Sequence, residues 1–390
     1  MEEGSVKETG RPLTRFGEFE LLKAIAIIGL PAIHVMEEIM EEGFASPDLQ
    51  AIGTGVIGLC AFGPSVFMIC MGFGIGGSRS SPDSIRKTGI QFLLIGALLN
   101  IFRWFLPGLL QAAVIHTPLI EDFEFCLQSD IYYFAGIFFI VHSFFKKWKI
   151  QTPGLIMFSI LGLTLNTLLT PLTHKYITNE IAASLLGNIV YVNTGSCFPL
   201  LSWAIFPSTG ILLGEVLKKS DEDKRENFMR RTLDFSLVLF ISFTVFLWDR
   251  HIDIMKTLVS PANDYITDLP NVILLISLAL LLISLTYYLC KKIGASPFMN
   301  FMLRISAFII PFYLLQWILV SWLVYLMKIF RMPEECFGRG AYFLTVAILT
   351  AVCIIVSCRY GMKIMKLLLK VTNPKKRHRK KKTEGPPAKA

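Results

Sequence analysis

Apolar runs of ~17–25 residues, long enough to cross a bilayer as a helix, recur along almost the whole chain. They fall near residues 20–40, 52–75, 88–110, 129–146, 153–171, 197–217, 232–249, 270–290, 303–328 and 340–366. The pattern predicts an all-α, polytopic membrane protein of about ten transmembrane helices. Charges between the runs alternate along the chain. Arg11 and Arg15; Arg79, Arg86 and Lys87; Lys146, Lys147 and Lys149; the cluster from Lys218 to Arg231; Lys291 and Lys292; and the C-terminal basic tail occupy every second connection. By the positive-inside rule these face the cytosol, and both termini are expected to be cytosolic. The intervening connections, Glu37 to Glu42, Glu121 to Glu124, the region of Glu180, and Asp249 to Asp268, are acidic or mixed and are expected outside. The ninth connection fits poorly, because Lys328, Arg331 and Arg339 offset Glu334 and Glu335.

Composition narrows the class. The chain has 390 residues, 53% hydrophobic and 17% charged, a balance that a water-soluble core and surface do not accommodate. Residues 1–18 are expected as a cytosolic N-terminal segment, 19–368 as one transmembrane domain and 369–390 as a basic, disordered cytosolic tail. The opening MEEGSVKETGRPLTR lacks an apolar core with a cleavage site, so the first span is expected to act as its own insertion signal. The net charge of +9 is partly concentrated in the run Lys375 to Lys382. After a last span such a run reads as an anchor on anionic lipid at the plasma membrane rather than a nucleic-acid patch. Eight Cys occur without zinc-type spacing, and no metal site is expected. Five of them, Cys60, Cys70, Cys290, Cys353 and Cys358, read as packing residues, and a disulfide between the outer-loop Cys126 and Cys336 is left open. The piece IAASLLGNIVYV between the fifth and sixth runs is too short to span and reads as an interfacial helix, a re-entrant segment or a lid.

The candidate chemistry sits in the first run, ELLKAIAIIGLPAIHVMEE, residues 20–38. Lys23 and His34 are eleven residues apart, which places them nearly on one helix face and ~16 Å apart along the axis. His34 is then beyond the midplane toward the outer face. Pro31 lacks the N–H that the Ile27 carbonyl expects, so a local kink or opening just before His34 is predicted. Ionisable groups at membrane depth are costly and usually functional, which makes His34 a candidate general base and Glu38, one turn on, a candidate to orient it. Asn100, Arg103, Asp130, His142, Asn166, Arg304 and Gln316 interrupt other runs, and each alone reads more readily as an interhelical hydrogen bond or interface anchor. Arg79, Arg86 and Lys87 follow the small-residue-rich second run; they suit phosphates of a nucleotide-like donor and ordinary topology signals equally well.

Glu20-Leu-Leu-Lys23, a small apolar run and then His34 resemble the opening of the membrane acyltransferases, in which an acidic residue-x-x-Arg is followed after ten residues by His. Acyltransferase family 3 and the bacterial relatives of heparan-alpha-glucosaminide N-acetyltransferase share this opening. FGPSVFMICMGFGIG and IRKTGIQFLLIGALLNIFRW are similar to their second and third spans; SDIYYFAGIFFIVHSF and FPLLSWAIFPSTGILLG to the second group; ISAFIIPFYLLQWILV to the penultimate span of family 3. Two positions depart from the pattern: Lys23 replaces Arg, losing its planar fork of donors, and Gln316 stands where many family 3 members have His. The resemblance implies acyl transfer from cytosolic acyl-CoA, with acetyl-CoA the expected donor and no resident cofactor, to a hydroxyl or amine of an outward-facing glycan or other envelope acceptor. In that scheme His34 and Glu38 are catalytic, Lys23, Arg79, Arg86, Lys87 and Arg103 hold the donor, and Glu20, Asn100, Asp130, Arg304 and Gln316 support them. The competing expectations are a transporter or flippase, and a catalytically silent relative acting as a membrane partner. Pairing of two copies as a homodimer is compatible with each.

Overall fold

The computed structural model describes residues 16–60, 62–116, 126–127, 130–193, 195–250 and 269–372, and these form helices and connecting segments without a strand. The basic run at Lys375 to Lys382, the acidic loop at Glu121 to Glu124 and most of the loop before Asp268 lie outside the described residues. The helices are α1 (Gly17–Glu41), α2 (Pro47–Cys60), α3 (Gly63–Ile75), α4 (Pro82–Asn100), a π-helical turn (Ile101–Phe105), α5 (Leu106–Ile115), α6 (Ile131–Lys147), α7 (Thr152–Tyr176), α8 (Glu180–Leu186), α9 (Leu200–Trp203), α10 (Ile205–Leu217), α11 (Glu222–Asp249), α12 (Leu269–Ile293), α13 (Pro297–Ala307), α14 (Ile309–Ile329) and α15 (Arg339–Thr372). Among the described residues, nine helical stretches are long and apolar enough to cross a membrane; α6, of 17 residues, is not one of them. The last helix runs through Thr372, four residues past the expected end of the domain.

Polar starts set several helix ends. The side chains of Ser81, Asp130, Asn179, Asp221 and Ser296 each accept from a backbone N–H in the first turn that follows. At Asp221, outside the spans, the side-chain bond from Lys224 and the bond from its backbone N–H hold the carboxyl below its ordinary value.

Prolines explain the interruptions. The expected ninth run is broken at Phe308, where Pro311 in the first turn of α14 cannot supply an N–H to a preceding turn. Pro107 stands four residues after Arg103, so its ring would press on the Arg103 carbonyl in a regular α-helix; the wider π turn relieves that clash. Trp322 Nε1 of α14 donates to the carbonyl of Phe102 in this turn at 3.0 Å. α1 runs from Gly17 to Glu41 with Pro31 inside it, so the helix is not interrupted there. Packing on several sides of α1 outweighs one missing hydrogen bond.

α1 is the hub, touching α2, α3, α12, α13, α14 and α15. Phe19 and Leu22 enter one apolar core with α3, α6, α10 and α12, while Leu21, Ile27, Leu30 and Val35 enter a second with α2, α13, α14 and α15. Helices α3 and α10 approach closely through Gly72 and Gly76 on one and Gly210 and Gly214 on the other, where backbone carbonyls occupy the places of side chains.

Contacts between connections sort them into two groups. Glu335 and Phe337 donate backbone N–H bonds to Gly43 and Phe44, Lys328 pairs with Glu42, and Arg339 pairs with Asp48 at 3.5 Å, joining the first connection to the ninth. Two of the three cations that made the ninth connection anomalous, Lys328 and Arg339, are thus paired with acids of the first. Asn188 reaches the Leu127 carbonyl at 3.4 Å, joining the third connection to the fifth. The even connections meet one another instead: Lys146 Nζ reaches the Ser78 carbonyl at 3.0 Å, Lys218 caps the carbonyls of Phe73, Gly74 and Gly76, and Lys291 pairs with Glu226 at 2.6 Å. This alternation is what successive crossings require. Cys126 and Cys336 are not joined, so the disulfide left open by the sequence is absent.

One buried ion pair fastens the end of α1 that adjoins the even connections. Arg225 Nη2 lies 2.7 Å from both carboxylate oxygens of Glu18, and the rings of Phe16 and Tyr287 lie 4.9 and 5.0 Å from the guanidinium carbon. The Glu18 and Arg225 side chains are only 1% and 7% exposed, so removal of either partner strands a buried charge. Arg225→Met is expected to destabilise the protein by about 3–5 kcal/mol, read as a lower melting temperature in detergent. The double variant Glu18→Leu/Arg225→Met is expected to recover most of that loss.

Candidate active site

The C-terminal half of α1 presents His34, Glu37 and Glu38 within little more than one turn. α14 brings Tyr313, Gln316 and Trp317 to the same place, on one face because three- and four-residue spacings stack on a helix. His34 Nδ1 lies 3.0 Å from Gln316 Oε1. Its ring stacks on Trp317 with centroids 3.7 Å apart and planes 19° from parallel. The Arg103 guanidinium carbon lies 3.2 Å from the centre of the same Trp317 ring. Two planar groups at such distances cannot share one face, so His34 and Arg103 sandwich the indole. Arg103 Nη2 then bonds Glu38 Oε1 at 3.2 Å, closing a ring of contacts from α1 through α14 and the π turn back to α1.

A second layer supports the first. Tyr313 donates its hydroxyl to Asp130 Oδ2 at 3.0 Å, and Asp130 Oδ1 accepts from the Tyr132 N–H at 2.9 Å. Asp130 thereby caps α6 and anchors α14 together. Asn100 donates to the Cys126 carbonyl at 3.0 Å, tying the third connection to α4 rather than entering the ring. The connection before α9 also comes near. Burial pushes the Cys197 thiol up to about 12, and the charges around it are those of Arg103, Asp130, Glu37 and Glu41.

The site also holds donors without partners. Gln316 Nε2, Trp317 Nε1 and Arg103 Nε are buried with no hydrogen-bond partner. Buried donors normally find partners, so three unsatisfied ones in a single cluster fit a ligand rich in acceptor oxygens. His34 and Glu37 are only half-buried, so the site retains open surface.

The expected donor-binding residues do not gather here. Lys23 pairs with Glu20 at 2.9 Å, and Glu20 accepts from Ser306 of α13 at 2.6 Å. Between that station and His34 the same face of α1 carries Ile27 and Leu30, 0% and 4% exposed, so the polar stripe read from the sequence is two separate polar stations. Arg79 and Lys87 are exposed, and Arg86, also exposed, pairs with Asp83 at 3.0 Å. These three lie with the even connections, whereas Arg103, grouped with them from sequence, belongs to the His34 ring. Glu38 binds Arg103, and the imidazole is held by Gln316 instead. Arg304 is exposed and donates to the Cys358 carbonyl at 3.0 Å, linking α13 to α15. Asn166 accepts from the Tyr191 N–H at 2.8 Å and so holds the segment after α8 against α7. Tyr313 and Trp317 escaped sequence reading because aromatic residues in an apolar run read as core; their spacing around Gln316 was the available signal. Among the described residues no group of three or more His, Cys, Asp or Glu is placed to hold a metal ion.

Comparisons with protein-family models, with curated proteins and with solved structures return no match to this chain.

Proposed function

We propose that the protein is a plasma-membrane acyltransferase that moves an acyl group, with acetyl the first choice, from cytosolic acyl-CoA to a hydroxyl or amine of an outward-facing glycan or envelope acceptor. The arrangement of His34 carries this reading: its Nδ1 is committed to Gln316, its other nitrogen remains for proton transfer, part of the ring is open, and unsatisfied donors surround it. In the proposed topology ten spans place both termini and the even, basic connections in the cytosol. Lys23, Arg79, Arg86 and Lys87 are then on the donor's side, and the His34 ring is on the acceptor's side.

The burial of Ile27 and Leu30 favours a second reading, a binding protein that has kept the site without a route for the thioester. A transfer assay separates the two. Purified protein in detergent, given labelled acetyl-CoA and a panel of envelope sugars, is expected to label the sugar; absence of both transfer and acetyl-CoA binding overturns the acyltransferase reading. Lys23→Arg is expected to preserve or raise the apparent affinity for acetyl-CoA, because a planar guanidinium supplies more phosphate or carbonyl donors than an ammonium. Loss of acetyl-CoA binding in that variant argues that Lys23 serves another purpose.

A further inference from the structure

We infer that Gln316 is a positioning residue that fixes His34 in the tautomer protonated on Nδ1, leaving Nε2 as the lone-pair nitrogen that faces substrate. An amide oxygen only accepts, so at 3.0 Å from Gln316 Oε1 the Nδ1 of a neutral His34 ring must carry the hydrogen. Glu38 is engaged by Arg103, Asp130 by Tyr313 and the Tyr132 N–H, and Glu37, three residues on, makes no hydrogen bond to the ring, so Gln316 is what Nδ1 meets. Stacking on Trp317 prevents the ring from turning over, and Arg103 closes the far face of the indole. Gln316 is wholly buried, which holds its amide beside the imidazole.

The inference rests on the proposed function for its consequence. The acceptor hydroxyl gives its proton to Nε2 while its oxygen bonds to the thioester carbon, and the carbonyl electron pair moves onto oxygen. Collapse of that intermediate breaks the carbon–sulfur bond, and the leaving thiolate takes the proton back from Nε2, giving ester and CoA thiol. Throughout, Nδ1–H stays on Gln316. The amide N–H groups of Gln316, unsatisfied in this structure, are then left for an oxygen of the substrate.

The test is the nitrogen-15 spectrum of histidine-labelled full-length protein in lipid, with the His34 signals assigned by difference against His34→Ala. The expected result is a protonated, pyrrole-type Nδ1 and an unprotonated, pyridine-type Nε2. Gln316→Glu, whose carboxylate also accepts, is expected to keep Nδ1 protonated, and Gln316→Leu is expected to shift Nδ1 to the pyridine type. A pyridine-type Nδ1 in the wild type, or a Gln316→Leu spectrum identical to it, overturns the inference. The wild-type spectrum decides even where Gln316→Leu does not fold. A wild-type protein with the expected tautomer and no acetyl transfer supports the positioning role and overturns the acyltransferase reading.

Discussion

His34→Ala is expected to lower acyl transfer by about 10²–10⁴-fold, the contribution of a positioned general base, without loss of the folded protein. The two halves of that expectation have separate physical grounds. Activity falls because the Nε2 acceptor beside the orphaned donors disappears, and the neighbouring carboxylates of Glu38 and Asp130 are committed to Arg103 and Tyr313. The fold survives because the ring is half-buried and contributes one stack and one hydrogen bond, together about 1–2 kcal/mol. The Arg103 contacts with Trp317 and Glu38 remain to hold α14 and the π turn against α1. The measurement is transfer of labelled acetyl groups, with elution profile and melting temperature in detergent as the control. Undiminished transfer removes His34 from the chemistry.

Gly72→Ala and Gly210→Ala are expected to be among the most damaging single-methyl additions to the fold. A Cβ at Gly72 would fall on the Pro207 carbonyl oxygen, and one at Gly210 on the Ile69 carbonyl oxygen, in both cases well inside van der Waals contact. The obstructing atoms are backbone, so α3 and α10 must separate rather than a side chain rotate. Overpacking of this kind costs about 1–3 kcal/mol or more. In a membrane, helix association rests on close packing, with no water to drive the helices back together. Gly340→Ala is the control, because nothing lies within 4 Å of the added carbon. It is expected to be neutral or mildly stabilising, as alanine favours helix over glycine. Melting temperatures of the three variants check the contrast, and equal values would show that the α3–α10 approach is not tight.

Some of the site was legible in advance. An imidazole at membrane depth is rare enough to stand out, and His34, Arg103, Asp130 and Gln316 were each visible as polar interruptions of apolar runs. Their grouping was not visible. Helical spacing relates residues on one helix, so it paired His34 with Glu38 and Lys23; the partners that matter lie on other helices, 282 residues away for Gln316. Arg103 illustrates the same limit. A cation in the third span reads as a companion of Arg79, Arg86 and Lys87, yet the π turn carries it to Glu38 and Trp317.

The sequence by itself determined that the chain is a bundle of long apolar helices, since period, run length and flanking charge depend only on neighbours along the chain. It also determined where the interruptions fall, because proline acts within one turn of itself. Only the tertiary structure decided that Lys328 and Arg339 of the ninth connection meet acids of the first, that Ile27 and Leu30 divide the polar stripe of α1, and that Gln316 rather than Glu38 holds the imidazole. Those outcomes depend on which helices become neighbours and how closely glycine lets them approach, and apolar runs of similar composition do not encode that order.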